Sequence, residues 1–354
     1  MNHRVDSLSK ALSTFTPTII VAVCMGLPLP AISYATRLEP TPTKTEAPSS
    51  PSENRAEKPG EKSTTAEKLK PKLVSPGDEP RRPVRFNFKA GAEQQIDATT
   101  NYMISAEAAS KTFRNDTYPM LIAPVTAKIA RLKTVDKCAT VDIAFGNPDV
   151  IRDNGTPLKL TEDLERAAKL IKGVTASRDT GYRGQWISSI APKIRPDAPA
   201  KDARAAAELL SDISIAMNSL SLEFPVESIG KGAKWQFTWP SNFRKLPFDM
   251  TSTVTCTSLD DAKGEFTIET TGGLKGLNEE LGDVTWNIKA YTKAFKVTAK
   301  GKVTQYFSKP LPTVSDMSVN VNMDMLAELQ TKAGETGEFK FRVLIRLLTA
   351  ENAK

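Results

Sequence analysis

One histidine, His3, serves the whole 354-residue chain, and it falls in a segment that reads as a removable leader. Without another imidazole, the remaining chain has no Ser-His-Asp triad, no Cys-His pair and no histidine-ligated metal. Excess charge of one sign is also scarce. The net charge is +7, but residues 36–85 carry 11 Lys+Arg against 8 Asp+Glu, and residues 86–354 retain only +3. Lys and Arg are interspersed with Asp and Glu instead of gathered on one stripe, so no nucleic-acid face is expected. Paired carboxylates occur at Glu162/Asp163, Asp260/Asp261 and Glu279/Glu280. The first pair opens a helix, the second sits in a turn and the third in a polar loop, so none is read as an acid–base pair. Gly230-Lys231-Gly232 is not followed by a helical pattern, which a phosphate cradle needs. The sequence therefore points to no catalytic residue, no cofactor and no metal, and the protein is expected not to be an enzyme.

The N-terminus supplies the first positive signal. Arg4 and Lys10 precede an apolar run at 15–27, then come Pro28, Pro30 and the small residues Ser33 and Ala35. A basic n-region, a short apolar core and small residues before a cut after Ala35 read as a signal peptide over residues 1–35. The other reading is a membrane anchor, but a spanning helix takes ~20 apolar residues, and this run is shorter and ends in prolines. No membrane span is expected after cleavage. Cys24 follows the branched Val23, which argues against lipidation. Residues 36–83 are rich in Pro, Glu, Lys, Ser and Thr with no apolar period. Such a stretch buries too little to offset its ordering entropy and is expected to be a disordered linker.

A β-rich domain is expected over residues 84–350. Val84, Phe86 and Phe88 alternate with polar residues, as do Leu222 and Phe224, and then Trp235, Phe237 and Trp239. Residues two apart on a strand share a face, so each set builds an apolar side. Ala90-Gly91-Ala92 precedes one alternation and Gly230-Lys231-Gly232-Ala233 the other. Each is followed by a strand, a polar turn and another strand: 126–134 and 138–145 in one case, 250–258 and 265–271 in the other. The pattern suggests an internal duplication, 84–219 against 220–350.

Two helices interrupt the strands. Thr161 can cap residues 162–172, with Leu164, Ala167, Ala168 and Ile171 as the apolar stripe. A second helix is expected near residues 198–220, its stripe Ala206, Leu209, Leu210, Ile213, Met217 and Leu220. Residues 174–190 read as a hairpin around Thr180-Gly181-Tyr182, and 272–276 as a glycine loop. The last third is strand after strand, with one apolar and one polar face, apart from a helical turn expected at 326–330. The fold class is thus mainly β (α+β), with curved antiparallel sheet and two covering helices. Asn115-Asp116-Thr117 and Asn154-Gly155-Thr156 match glycosylation sequons, though Asn-Gly is first a turn. Cys138 and Cys256 survive export, and an exported chain can pair two such thiols. The alternative is two separately buried thiols.

The motifs Phe224-Pro225-Val226 to Gly230-Lys231-Gly232-Ala233-Lys234-Trp235, Ala299-Lys300-Gly301-Lys302-Val303, and Pro310-Leu311-Pro312 before 318–325 resemble those of an uncharacterised family of exported bacterial β-rich proteins. The first half matches less well, since Ala90-Gly91-Ala92 lacks the tryptophan. The resemblance implies structural motifs with no catalytic ones. In broad shape the family is similar to periplasmic lipoprotein carriers, an analogy of fold alone. Two roles follow as expectations for a periplasmic or envelope-associated protein. One is a non-catalytic binding module for a lipid or other apolar ligand, with Met217, Leu220, Met317, Met323 and Met325 as the ligand face because methionine adapts to varied apolar partners. The other is a structural or interaction protein of the cell envelope, in which those methionines only fill the core.

Overall fold

Alternation is the rule along almost every strand. At Phe295, Val297 and Ala299, or Val343, Ile345 and Leu347, the odd positions are buried and the even ones face water, as a sheet wetted on one side demands. The computed structural model describes residues 70–108, 111–133, 137–151, 162–218, 222–243, 246–280, 288–329 and 336–351. The signal peptide and most of the linker expected from the sequence lie outside these residues.

In chain order the strands are β1 (Lys72–Ser75), β2 (Glu93–Ala108), β3 (Lys111–Thr117), β4 (Met120–Lys133), β5 (Cys138–Phe145), β6 (Asp149–Ile151), β7 (Thr175–Gly181), β8 (Trp186–Ile190), β9 (Lys234–Phe243), β10 (Leu246–Leu259), β11 (Lys263–Glu280), β12 (Ile288–Tyr306), β13 (Val314–Leu329) and β14 (Thr336–Glu351). Helix α1 (Glu162–Ile171) precedes β7, and α2 (Ala200–Asn218) follows β8. All fourteen strands form one antiparallel sheet in the order β1-β9-β10-β11-β12-β13-β14-β2-β4-β5-β7-β8. β3 is added beside β2 and β6 beside β4. The sheet does not close, because β1 and β8 are its two ends. It does curl: Arg178 on β7 donates to the Pro310 carbonyl in the β12–β13 turn at 3.0 Å, although five strands separate β7 from β12.

The two halves read from the sequence occupy two contiguous runs of this one sheet, joined where β14 pairs with β2. Their lead-in turns repeat bond for bond. The Gly91 N–H donates to the Ile129 carbonyl (2.8 Å) and the Ala92 N–H to that of Lys89 (3.1 Å), while Ile129 returns a bond to Ala92 (2.9 Å). In the second half Gly232 bonds Cys256 (2.8 Å), Ala233 bonds Gly230 (3.1 Å), and Cys256 returns to Ala233 (2.9 Å). Both glycines sit at positive φ, +81° and +80°, where a Cβ is strained.

Several expectations need correction. The linker ends earlier than residue 83: β1 pairs with β9, and Asp78 and Arg82 bond Lys231 and Ile229. Residues 84–88 and 222–224 are extended but belong to no ladder. Their apolar side chains Val84, Phe86, Phe88, Leu222 and Phe224 are buried, and single bonds tie them across the curl, Phe86 to Tyr182, Asn87 to Phe307 and Phe224 to Arg183. Residues 272–276 and the Glu279/Glu280 pair are part of β11, not loops. A side chain at Gly272 would meet Met250 Cγ at 2.8 Å, so the glycine lets two strands approach closely. Residues 326–329 continue β13 in pairing with β12 and β14 and form no helical turn. β5 stands where the sequence placed it, and the β7–β8 hairpin covers the expected residues, but its turn is 182–185, since Thr180 and Gly181 still belong to β7.

Candidate functional site

The concave face of the sheet divides into two regions. At one end, aromatic rings from distant segments stack into a seal. Phe224 lies 5.4–6.1 Å from Phe86, Trp235, Phe266 and Phe307. Trp235 meets Phe266 edge-on at 5.8 Å and Phe86 stacks on Phe88 at 5.0 Å, the offset and edge geometries that aromatic pairs prefer. Trp235 is fully buried, and its indole N–H donates to the Glu223 carbonyl at 2.9 Å. The β12–β13 turn is tied down on this end. Gln305 Nε2 donates to the carbonyls of Tyr306, Lys309 and Leu311, and Gln94 Oε1 accepts from the Leu311 N–H at 3.1 Å. Burial pushes the Glu223 carboxyl up to about 7, against the pull of Arg183.

Toward the middle of the face the cover changes to a helix. Pro199 precedes α2, and the Ala203 N–H bonds back to its carbonyl at 2.9 Å, so the ring stands where a missing N–H does no harm. Asp202 favours the positive end of the helix dipole. The first half of α2 is amphipathic, with Lys201 and Arg204 exposed and Ala206 buried. From Leu210 to Ser214, and again at Ala216 and Met217, every residue is buried. The helix lies against β2 and β14, and Ser214 satisfies its hydroxyl on the Leu210 carbonyl at 2.7 Å. α1 holds the other half: Arg166 Nε reaches Asp202 at 3.1 Å, and Asp163 pairs with Arg166 and Lys201.

Three buried polar atoms meet between α2 and β2. Thr100 and Tyr102 rise from the inner side of β2 and Asp212 faces them from the enclosed half of α2, at 1%, 6% and 7% exposure. The Tyr102 hydroxyl faces both Asp212 and Thr100. These approaches are close enough for the Tyr102 hydroxyl to act on the Asp212 carboxyl, but among the described residues the distance and angle of a full hydrogen bond are not reached at Thr100 Oγ1, Tyr102 Oη or Asp212 Oδ1. Burial raises the Asp212 carboxyl to about 7, against the pull of the Tyr102 hydroxyl, and the nearby Glu208 adds to the rise. Burial first, and the Asp212 charge second, holds the Tyr102 phenol well above its ordinary value. The only sequence hint of this cluster is the polar triplet Ser211, Asp212 and Ser214 inside an apolar helix pattern.

The structure separates the residues singled out from the sequence. Met217, Met317 and Met323 are buried in the core. Met317 and Met323 share the inner side of β13, but six residues part them, ~20 Å along a strand. Met325 pairs with Phe339 in the ladder, and Leu220 lies outside the described residues. On α1, Ala167, Ala168 and Ile171 are buried as expected, whereas Leu164 is 39% exposed. Cys138 and Cys256 are not disulfide-bonded. Cys138 shares its side of β5 with Asp142, opposite to Val141 and Ile143, while Cys256 stands with Val254 on the inner side of β10. Burial pushes the Cys256 thiol up to about 11. Asp260 accepts the Ala262 and Lys263 amides in its turn, and Asp261 pairs with Arg82. Asn115 lies on β3, and Asn154 is outside the described residues. On the convex face, β13, β14, β2 and β3 border a groove of about 200 Å³ that includes Met103, Ser105, Asn115, Asn320, Asn322 and Arg342. Among the described residues no group of three His, Cys, Asp or Glu side chains could hold a metal ion, and no helix is long and apolar enough to cross a membrane.

No family model matches the sequence, and no curated protein is similar to it. Among solved structures, OccK2 of Pseudomonas aeruginosa aligns over 74% of this chain and 98% of its own, at 8% identity and a TM-score of 0.21. An outer membrane channel of Pseudomonas putida aligns over 74% and 97%, at 9% identity and 0.16. Ail, the attachment invasion locus protein of Yersinia pestis, aligns over 73% and 99%, at 6% identity and 0.12. TM-scores of this size establish no shared fold, and no function is carried over from these proteins.

Proposed function

We propose that the protein is an exported, non-catalytic binding module that holds a lipid or another apolar molecule on the concave face of its sheet, beneath α2. One observation carries the reading: half of an amphipathic helix is enclosed on the inner face of a sheet that does not close. A helix seated on an apolar face by side chains alone can be lifted without breaking any ladder bond, which a strand cannot. Methionine at Met217, and at Met317 on the face beyond it, suits such exchange. A neutral fluorescent acyl probe should bind saturably in the micromolar range, worth ~8 kcal/mol. Met217→Arg should abolish that binding while the far-ultraviolet spectrum stays β-rich. Absence of saturable binding by the wild type would leave the second reading, a structural or interaction protein of the cell envelope. The feature that favours it is the pair of free sheet ends, β1 and β8, where Val74, Ile187 and Ile190 are exposed at 58%, 54% and 68%, since exposed edge strands are templates for pairing with another chain.

A further inference from the structure

We propose that Asp212, Tyr102 and Thr100, which face one another between α2 and β2, form a head-group site for an apolar molecule ending in a protonated amine. This deepens the carrier reading and rests on it. Native interiors seldom leave buried polar atoms unmatched, and each exception asks for an explanation. Here three converge from two elements on one spot, Thr100 Oγ1, Tyr102 Oη and Asp212 Oδ1. Thr100 and Tyr102 have only that one side-chain polar atom each, so no second atom compensates. Elsewhere the unmatched atoms stand apart: Thr292 Oγ1, Thr313 Oγ1 and Trp239 Nε1 lie on β12, in the β12–β13 turn and on β9, and Gln94 and Arg178 leave one nitrogen over but spend another polar atom on the β12–β13 turn.

The charge around the spot selects the ligand. A buried carboxylate is ordinarily paired with a cation, and among the described residues none faces Asp212. Tyr102 and Thr100 are neutral, and the inward residues of β14 opposite Tyr102 and Thr100 are Ile345 and Leu347. The charged neighbour whose field reaches Asp212 is Glu208, one turn earlier on α2, and the Arg204 side chain is engaged with Glu208 at 3.3 Å on the solvent side. The Arg166 guanidinium is spent on Asp163 and Asp202, ten residues toward the other end of α2. An ammonium brings the missing positive charge and three donors, which match one carboxylate and two hydroxyl acceptors. A carboxylate or phosphate head would add a second negative charge to a buried site. The walls are apolar, with Ile104, Ile213, Ala216, Met217 and Ile345 all buried, so the remainder of the ligand is hydrocarbon. The raised carboxyl agrees, since a cation at this spot restores the ionised form.

The test is displacement of the neutral acyl probe from the full mature chain by dodecylamine, dodecanol and dodecanoate, each below its micellar concentration. The amine should displace the probe at a concentration at least ten-fold lower than the alcohol, and the acid should be the weakest. Asp212→Asn should bring the amine to the level of the alcohol, each displacement being read against the variant's own affinity for the probe. Tyr102→Phe should reduce the amine's advantage partway, and it supplies the test should Asp212→Asn not fold. An amine no better than the alcohol, or an advantage that survives both substitutions, overturns the proposal and leaves bound water as the partner of the three atoms. Failure of the wild type to bind the probe at all removes the carrier reading, and this proposal with it.

Discussion

The two ends of one concave face solve the same problem in different ways. At the sealed end, rigid rings from residues 86–88, 224, 235, 266 and 307 fill the space edge to face, and the polar side chains there tie down a turn. Beneath α2 the filling is aliphatic and thioether, and the polar atoms left over there gather on one spot, whereas at the sealed end Gln94 and Arg178 each leave a single remainder of a group otherwise bonded. Ring packing gives one well-defined arrangement, whereas flexible side chains around unmatched polar atoms tolerate more than one. The contrast implies that the sealed end carries stability and the helix-covered region carries adaptability.

The largest expected effect breaks the sealed end. Trp235→Ala removes a fully buried ring with two aromatic partners and should cost about 3–5 kcal/mol, read as a lower denaturant midpoint. An unchanged midpoint would show that the rings are not what holds the fold. The second effect sharpens the other region. The Asp212 carboxyl is at about 7 in the folded protein and near ~3.9 in an unfolded chain. Between these values the folded state keeps a proton that the unfolded state releases, so stability present below pH 4 is lost as the pH rises to 7. Glu223, also raised to about 7, acts in the same direction. Asp212→Asn should flatten this slope and stabilise the protein at pH 7.5 by up to ~4 kcal/mol, measured by denaturation at several pH values. The smallest effect is Met317→Leu, which should cost less than ~1.5 kcal/mol because a volume-conserving swap is tolerated. A loss as large as that at Trp235 would erase the distinction between the two regions.

The sequence made the sealed end easier to read than the ligand region. Trp235, Phe237 and Trp239 announce a strand by period alone, and α1 announces itself by its terminal charges and stripe. β2 was legible only in its first residues. Its inward positions Gln94, Thr100 and Tyr102 are polar or amphipathic, so the apolar contrast that marks a strand is weak there, and two of the three, Thr100 and Tyr102, form the cluster facing Asp212. Residues 326–329 read as helical because Leu, Ala and Glu are good helix formers, and pairing on both sides overrides that preference. The opposite faces of Cys138 and Cys256 depend on where each strand sits in the curl, which no local pattern encodes.

The pairing of β14 with β2 has a consequence for time as well as for shape. It joins residues 96–108 to residues 339–351, so the sheet cannot be continuous until nearly the whole chain has been made. Until β14 arrives, β2 presents an unpaired upper edge and α2 lacks one of its two seats. Pairings this remote are slow to form and leave sticky intermediates. A chain that crosses a membrane unfolded and folds afterwards meets all of its strands at once, and a truncation inside β14 should strand the first half as an aggregating fragment instead of a smaller domain.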